Sequence, residues 1–455
     1  LFTALDDIAL RIHAPGIGIP VVVFNPLAWT RTDLVEIEVR FPAELRHVEV
    51  FRDDGKAMHS EVTSFDPQTN IWRVRFLADS VPPLGYRVYR VIPAQPVKGP
   101  ALPASATQIE NEFLRVTVDA KTGCMTSLFD KRANREALAP GGCGNRLVAF
   151  RDKPKDWDAW NIDANFEDEQ WDLQLAEEVK LVEHSWLRAV IRVVKTFGKS
   201  RFTQDITLTA GIPRVDIRTV ADWHEERILI KAAFPVNAKS DFATFEIPYG
   251  AIQRPTTRNT PVEKAKFEVP ALRWADLSDA SGGLSVLNDS KYGYDAKGNV
   301  LRISLLRSPK WPDPNADMGR HEFTYSLFPH AGNWKDASTV RRGYELNYPL
   351  LAVATTSHIG SLPTSKSYFE IADENVVLTA LKQTEDGASW LVRFYEFAGR
   401  ETPVRLRLPD GAARAWETNL MEQDERALSV NNQSVIVATK PYEIKSVRIE
   451  FAAKP

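Results

Sequence analysis

From residue 20 onward the chain alternates. In "LVEIEVRF" (34–41) Val35, Ile37, Val39 and Phe41 fall on one face, and Glu36, Glu38 and Arg40 on the other. That is the period of a half-buried β-strand. The pattern returns in "FLRVTVDAKTG" (113–123), "WLRAVIRVV" (186–194), "RVDIRTVADW" (214–223), "VRLRLPD" (404–410) and "VRIEF" (447–451). Gly, Asn, Asp and Pro turn signals separate these runs, and past residue 15 no stretch holds a long helical period. The expectation is a chain that is all-β after its first turns.

Those first turns differ. Leu1, Leu5, Ile8 and Ile12 recur at helical spacing and stop at Pro15-Gly16, which reads as the end of an amphipathic helix over 1–15. With no N-cap and no initiator methionine, the expectation is a chain that begins inside a larger protein or follows a cut. At 455 residues it is too long for one core. "PAQPVKGPALPAS" (93–105) carries four prolines and reads as a stiff extended linker. It would close a first β-domain over 20–95. A softer boundary near "TTSHIGSLPTSKS" (355–367) separates a last β-domain, 366–455, from a middle block, 106–355. That block is too large for a simple sandwich and suggests two extended sheets with long connecting loops.

Charge excludes some partners. Lys plus Arg (57) nearly balances Asp plus Glu (60), a field too weak for nucleic acid or an anionic membrane. No apolar run reaches the roughly 18 residues of a membrane span, and "LFTALDDIAL" lacks the flanks of a signal peptide. Cys124 and Cys143 are the only cysteines. Two in so long a chain read by default as free thiols in a reducing cytoplasm, with one bridge as the alternative.

For chemistry, metals come first. "DWHEE" sets Asp222, His224 and Glu226 at alternate positions, able to converge on an ion or simply to form an exposed charged face, the reading preferred here. His321 and His330 follow Asp313 and Asp317, but alternation places His321 with Phe323, Tyr325 and Leu327 on an inner face. No HExxH, paired CxxC, G-x-S-x-G, P-loop or dinucleotide fingerprint occurs, so no zinc site encoded by this chain is expected. "GGCGN" (141–145) reads as a turn. Carbohydrate is the better theme, because sugar sites pair an aromatic platform with carboxylates and amides. "DKPKDWDAWNIDANFEDEQW" (152–171) offers Trp157, Trp160 and Trp171 among Asp156, Asp158, Asn161 and Asp163, and "RSPKWPDPNADMGRHEF" (307–323) offers Trp311, Asp313, Asp317 and Arg320. The alternative for the first stretch is a loop whose indoles tuck inward while its acids face solvent. Glycoside cleavage needs two carboxyls about 5 to 10 Å apart, and no pair stands out.

Several longer stretches resemble glycoside hydrolase family 38 α-mannosidases, in their C-terminal half. They are "VVVFNPLAW" (21–29), "ADWHEERILIKAAFPV" (221–236), "FEIPYGAIQRPT" (245–256) and 284–330, which contains "LLRSPKWPDPNADMGRHEFTYSLFPH". The tail, 380–408 with "KPYEIKSVRIEF" (440–451), is similar to that family's final β-domain. The resemblance implies a central supersandwich similar to galactose mutarotase, flanked by two smaller β-sandwiches, with a remnant of a helical bundle at the start. It also implies a retaining α-mannosidase with zinc and an aspartate nucleophile in a barrel, and the family motifs that carry those groups are missing from this chain. The chain alone is then expected to be inactive, with the barrel and bundle as its partners and an α-mannoside as ligand; a homo-oligomer is left open. By motif the substrate contacts to examine are Trp157, Asp158, Trp160, Asp163, Asp317, Arg320 and His321. Asn161 stands where the family pattern has an acid. Two other readings remain: a free-standing carbohydrate-binding protein, and a mutarotase-like enzyme using His321 or His224 with a facing glutamate.

Overall fold

The structure, a computed structural model, describes residues 1–41, 47–95 and 99–452. Pro96, Val97 and Lys98 of the expected linker lie outside the described residues. Strands dominate, and every strand pair among the described residues is antiparallel apart from an isolated bridge between Ile12 and Leu362. The chain forms two compact units, one of Leu1–Gly99 with Tyr348–Pro455 and one of Pro100–Asn347.

The first unit holds two sandwiches. In one, a sheet ordered Leu351–Ala354, Ile19–Asn25, Gly85–Pro93, Ser365–Ser367, with Val48–Arg52 also on Gly85–Pro93, faces a sheet of Arg31–Arg40, Ile71–Val81 and Ser60–Asp66. Ile19–Asn25 does not alternate because both of its faces are covered. Val21 and Val23 meet the facing sheet's core, while Val22 and Phe24 pack with Leu5 and Ala9 of helix Phe2–Ala9. Val353 pairs with Val22, so residues 351–354 belong to this sandwich and not to the middle block where 106–355 would put them. The second sandwich sets five strands around Trp390–Glu396 and Ile444–Phe451 against Glu370–Ile371, Thr402–Arg407 and Ser434–Thr439. Phe394, Leu406, Val437 and Ile449 fill its core.

The second unit packs three sheets on one core. A nine-stranded sheet has Val215–Trp223, Gly319–His330 and Gly282–Asn288 at its centre. A six-stranded sheet runs Gln170–Asp172, Arg146–Arg151, Ile228–Pro235, Val300–Leu306, Gly293–Lys297, Val269–Pro270, and a four-stranded sheet is built around Met125–Asp130. Ile217, Trp223, Phe234, Ile303 and Tyr325 are among the side chains buried between them. The free thiols expected at Cys124 and Cys143 are instead a disulfide with Cα atoms 5.1 Å apart. Their neighbours explain it: Met125 and Gly144 exchange backbone hydrogen bonds of 2.9 and 2.8 Å, which sets the two cysteines side by side.

The six-stranded sheet is buried on its outer face as well. Val148, Phe150 and Leu229 pack there with Phe166, Ile162 and Phe267. Among them lies Lys231, fully buried, which donates to Glu268 and, at 2.6 Å, to Asp295. Arg302 joins Asp295 at 2.8 Å and Glu167 at 2.5 Å. A buried charge is tolerable only when paired, so this network ties the segment around residue 167 down onto the sheet.

A candidate carbohydrate-contacting site

The two stretches singled out in the sequence meet in the second unit, and Arg307 joins them. Its Nε donates to Asp152 at 2.5 Å, and Nη2 reaches the other Asp152 oxygen at 3.3 Å. Nη1 donates to the carbonyl of Ala159 at 3.0 Å, and Nη2 to the carbonyls of Asp158, at 3.0 Å, and of Asn161. Burial pushes the Asp152 carboxyl above its ordinary value, with Arg307 pulling against it. Asp158 works in the opposite direction, from the first stretch to the second. Its carboxylate accepts from Arg227 at 2.8 Å and from the backbone N–H groups of Lys310 and Trp311 at 2.6 and 3.2 Å. Two loops distant in sequence are thus locked reciprocally by charge-assisted bonds.

The remaining acids close the loops on themselves. Asp163 accepts from the Lys155 N–H at 2.9 Å and from the Asn161 side-chain amide at 2.8 Å. Asp317, in the left-handed region at φ 60°, accepts from the N–H groups of Arg307 and Ser308 at 3.1 Å each. His321 is half-buried and donates Nε2–H to the Asp317 carbonyl at 2.7 Å. Arg320 points elsewhere, pairing with Glu322, which also takes Arg218. Of the seven residues expected to contact substrate, Trp157, Asp158, Trp160, Asp163, Asp317 and His321 therefore lie in or against the joined loops, and Arg320 is engaged on the strand's other face.

With the acids occupied, these loops present indoles. Trp157, Trp160 and Trp311 are 67%, 66% and 55% exposed, and the rings of Trp160 and Trp311 meet edge to face at 5.4 Å. A single exposed apolar side chain is ordinary, but three exposed indoles on one pair of pinned loops, two of them in ring contact, form an aromatic shelf. The alternative of inward-tucked indoles holds only for Trp171, which is half-buried against Phe197. Arg307, Asp152 and Arg227 organise the site and were not singled out in the sequence. All three lie in quoted stretches, but the Arg307–Asp152 and Arg227–Asp158 pairs span more than sixty residues, and the other partners of Arg307 are backbone carbonyls, which no residue pattern reveals.

Other constellations do not assemble. His224 pairs with Asp222 at 2.8 Å, but Glu226 turns to Lys310 at 2.9 Å. His330 is buried against Asp276 at 2.8 Å. Among the described residues His321 bonds to the Asp317 carbonyl and His224 to Asp222, and neither is hydrogen-bonded to a glutamate as a mutarotase-like acid and base would be. Among the described residues no three His, Cys, Asp or Glu side chains come together as metal ligands.

Comparison with known proteins places this arrangement in context. Residues 109–315 match the "Glycosyl hydrolases family 38 C-terminal domain", and residues 375–447 the "Glycosyl hydrolases family 38 C-terminal beta sandwich domain". The chain is 36% identical over 391 residues to alpha-mannosidase 2C1 of Mus musculus, covering 83% of this chain and 37% of that protein. It is 34% identical over 355 residues to alpha-mannosidase G of Dictyostelium discoideum, covering 75% and 32%. The crystal structure of an alpha-mannosidase from Enterococcus faecalis V583 superposes with a TM-score of 0.81 at 17% identity, covering 99% of this chain and 58% of that one, and so shares its fold. The chain spans only about a third of the length of these curated relatives.

Proposed function

The chain belongs to glycosyl hydrolase family 38, as its C-terminal β-domains, and from that premise we propose that it serves a retaining α-mannosidase by forming part of the wall of the sugar cleft. The observation that carries the reading is the shelf of Trp157, Trp160 and Trp311, fixed by Arg307 and Asp158. A pyranose lays its apolar C–H face on such rings. Asp152, Asp158, Asp163 and Asp317 beside the shelf are taken up by Arg307, Arg227, backbone N–H groups and the Asn161 amide, and the nucleophile and general acid are assigned to the part of the enzyme outside this chain. Zinc, which the family implies, is assigned there too, because among the described residues no three His, Cys, Asp or Glu side chains come together as its ligands. No helix among the described residues is long and apolar enough to cross a membrane.

The test is hydrolysis of an aryl α-mannoside. This chain alone should show no turnover with or without added zinc. In an enzyme that also contains the catalytic part, Trp160→Ala should raise KM several-fold with little change in kcat, the signature of lost uniform binding. Zinc-dependent turnover by the chain alone, or an unchanged KM, would sink this reading. The exposed shelf also favours a carbohydrate-binding role for the chain by itself, which saturable sugar binding lost in Trp160→Ala would support.

A further inference from the structure

A cleft of about 410 Å³ opens on the outer side of the six-stranded sheet, and Arg307 and Asp317 of the joined loops reach its wall. Leu229, Leu306, Pro270 and Ile162 supply apolar wall, and Glu268, Ser304, Lys291 and Tyr292 supply polar groups. Glu268 Oε1 accepts from the Ser304 hydroxyl at 2.6 Å, and the other carboxylate oxygen holds Lys231. Gly293 keeps this pair open. A Cβ there would stand 2.7 Å from Glu268 Oε1 and 3.0 Å from Ser304 Cβ. Its φ lies outside the left-handed region, so space and not backbone conformation is what glycine provides.

Lys291 is the unspent donor. Its ammonium lies 4.2 Å over the Phe323 ring, and it makes no side-chain hydrogen bond or ion pair among the described residues. Burial lowers its pKa, while Asp317 and Asp289 act to raise it. An ammonium taken partly out of water without a hydrogen-bond acceptor is costly, and a ligand oxygen would relieve that cost. The lining then selects the ligand. An anion would face Glu268 and Asp317, and a cation would face Lys291, so neither sign is favoured. Neutral hydroxyls suit both, donating to Glu268 and accepting from Lys291, and an apolar ring face suits Leu306 and Pro270. The volume is in the range of small-ligand sites.

We propose that this cleft is a second carbohydrate subsite, which binds one neutral pyranose unit through Glu268, Ser304 and Lys291; the choice of sugar among neutral polyols rests on the function proposed above. The test is titration of this chain with methyl α-D-mannopyranoside, followed by ligand-observed NMR. Lys291→Met and Gly293→Ala should each weaken binding about tenfold or more, with Leu175→Ala, an exposed side chain outside the cleft lining and the shelf, changing it less than about twofold. Lys291 has no ion pair to lose, so its variant should fold even if Gly293→Ala does not, and the thermal transition of each variant checks this. Loss of binding confined to Trp160→Ala would overturn the subsite while leaving the shelf intact. Absence of saturable binding in the wild-type chain would also overturn it, whereas the α-mannosidase reading stands or falls on hydrolysis by the enzyme with its catalytic part.

Discussion

Arg307 places one guanidinium between the Asp152 carboxylate and carbonyls about 146 to 149 residues earlier in the chain. Arg307→Met would leave Asp152, whose side chain is 2% exposed, as an unpaired buried acid. Loss of about 3–5 kcal/mol is expected, read from urea unfolding, together with a shift in tryptophan emission as the shelf loosens. Lys195 makes the opposite case. It is 2% exposed and, among the described residues, donates only to the Leu173 carbonyl, at 2.8 Å, and burial lowers its pKa from 10.5 to about 8. Between those values the unfolded chain binds more protons, so this group makes stability rise with pH from about 8 to 10.5. Lys195→Met should flatten that rise and add roughly 1–2 kcal/mol at pH 7, the full gain being reduced by the orphaned carbonyl. A variant less stable than wild type at pH 7 would count against a destabilising charge. At this scale the indoles and acids of 152–171 were legible, because clustering is local. The partners of Asp317, and the Lys310, Trp311 and Lys155 donors to Asp158 and Asp163, were not, because they are main-chain N–H groups and carry no residue identity.

Alternation identified elements wherever one face met a core and the other met water, as at Arg31–Arg40, where Val35 and Val39 are buried and Glu36 is exposed. It failed on Ile19–Asn25 and Ile228–Pro235, which are covered on both faces and do not alternate, the second carrying the buried Lys231 within its apolar run. Pairing was less legible still. Cys124 and Cys143 are 19 residues apart, and only the register of Met125 against Gly144 brings them together. The bridge should stabilise the unit by about 3 kcal/mol through loop closure, so reductant or Cys143→Ser should lower the thermal midpoint by several degrees. The same pairing removes the support that free thiols lent to a cytoplasmic location, since reducing compartments keep thiols apart. Alkylation before and after reduction, on protein taken directly from cells, reads the compartment: free thiols at once would restore the cytoplasmic expectation.

Neighbours in sequence and neighbours in space part most widely in the first unit, which the chain leaves at Gly99 and re-enters at Tyr348. Its first sandwich needs that return, because Leu351–Ala354 and Ser365–Ser367 occupy the two ends of the sheet order around Ile19–Asn25 and Gly85–Pro93. No local pattern marks a four-residue strand as belonging to a sheet begun more than three hundred residues earlier, which is why the boundary read near 355 fell after the strand it should have preceded. Residues 1–99 alone would expose the Ile19–Asn25 edge of that sheet, the Gly85–Arg87 end of the opposite edge and much of the face that Val353 covers. They are expected not to fold cooperatively. With residues 100–347 replaced by a flexible Gly/Ser linker, the two segments should form a stable unit, and 100–347 by itself should fold on its own core. Far-UV circular dichroism and urea transitions on the three chains separate the outcomes. A cooperative transition for 1–99 alone would show that the returning strands only decorate a sandwich already complete. A disordered linked chain would mean that the first unit depends on the second for its folding, and that a chain of this order forms its long-range strand pairs only after the inserted unit has closed the distance for them.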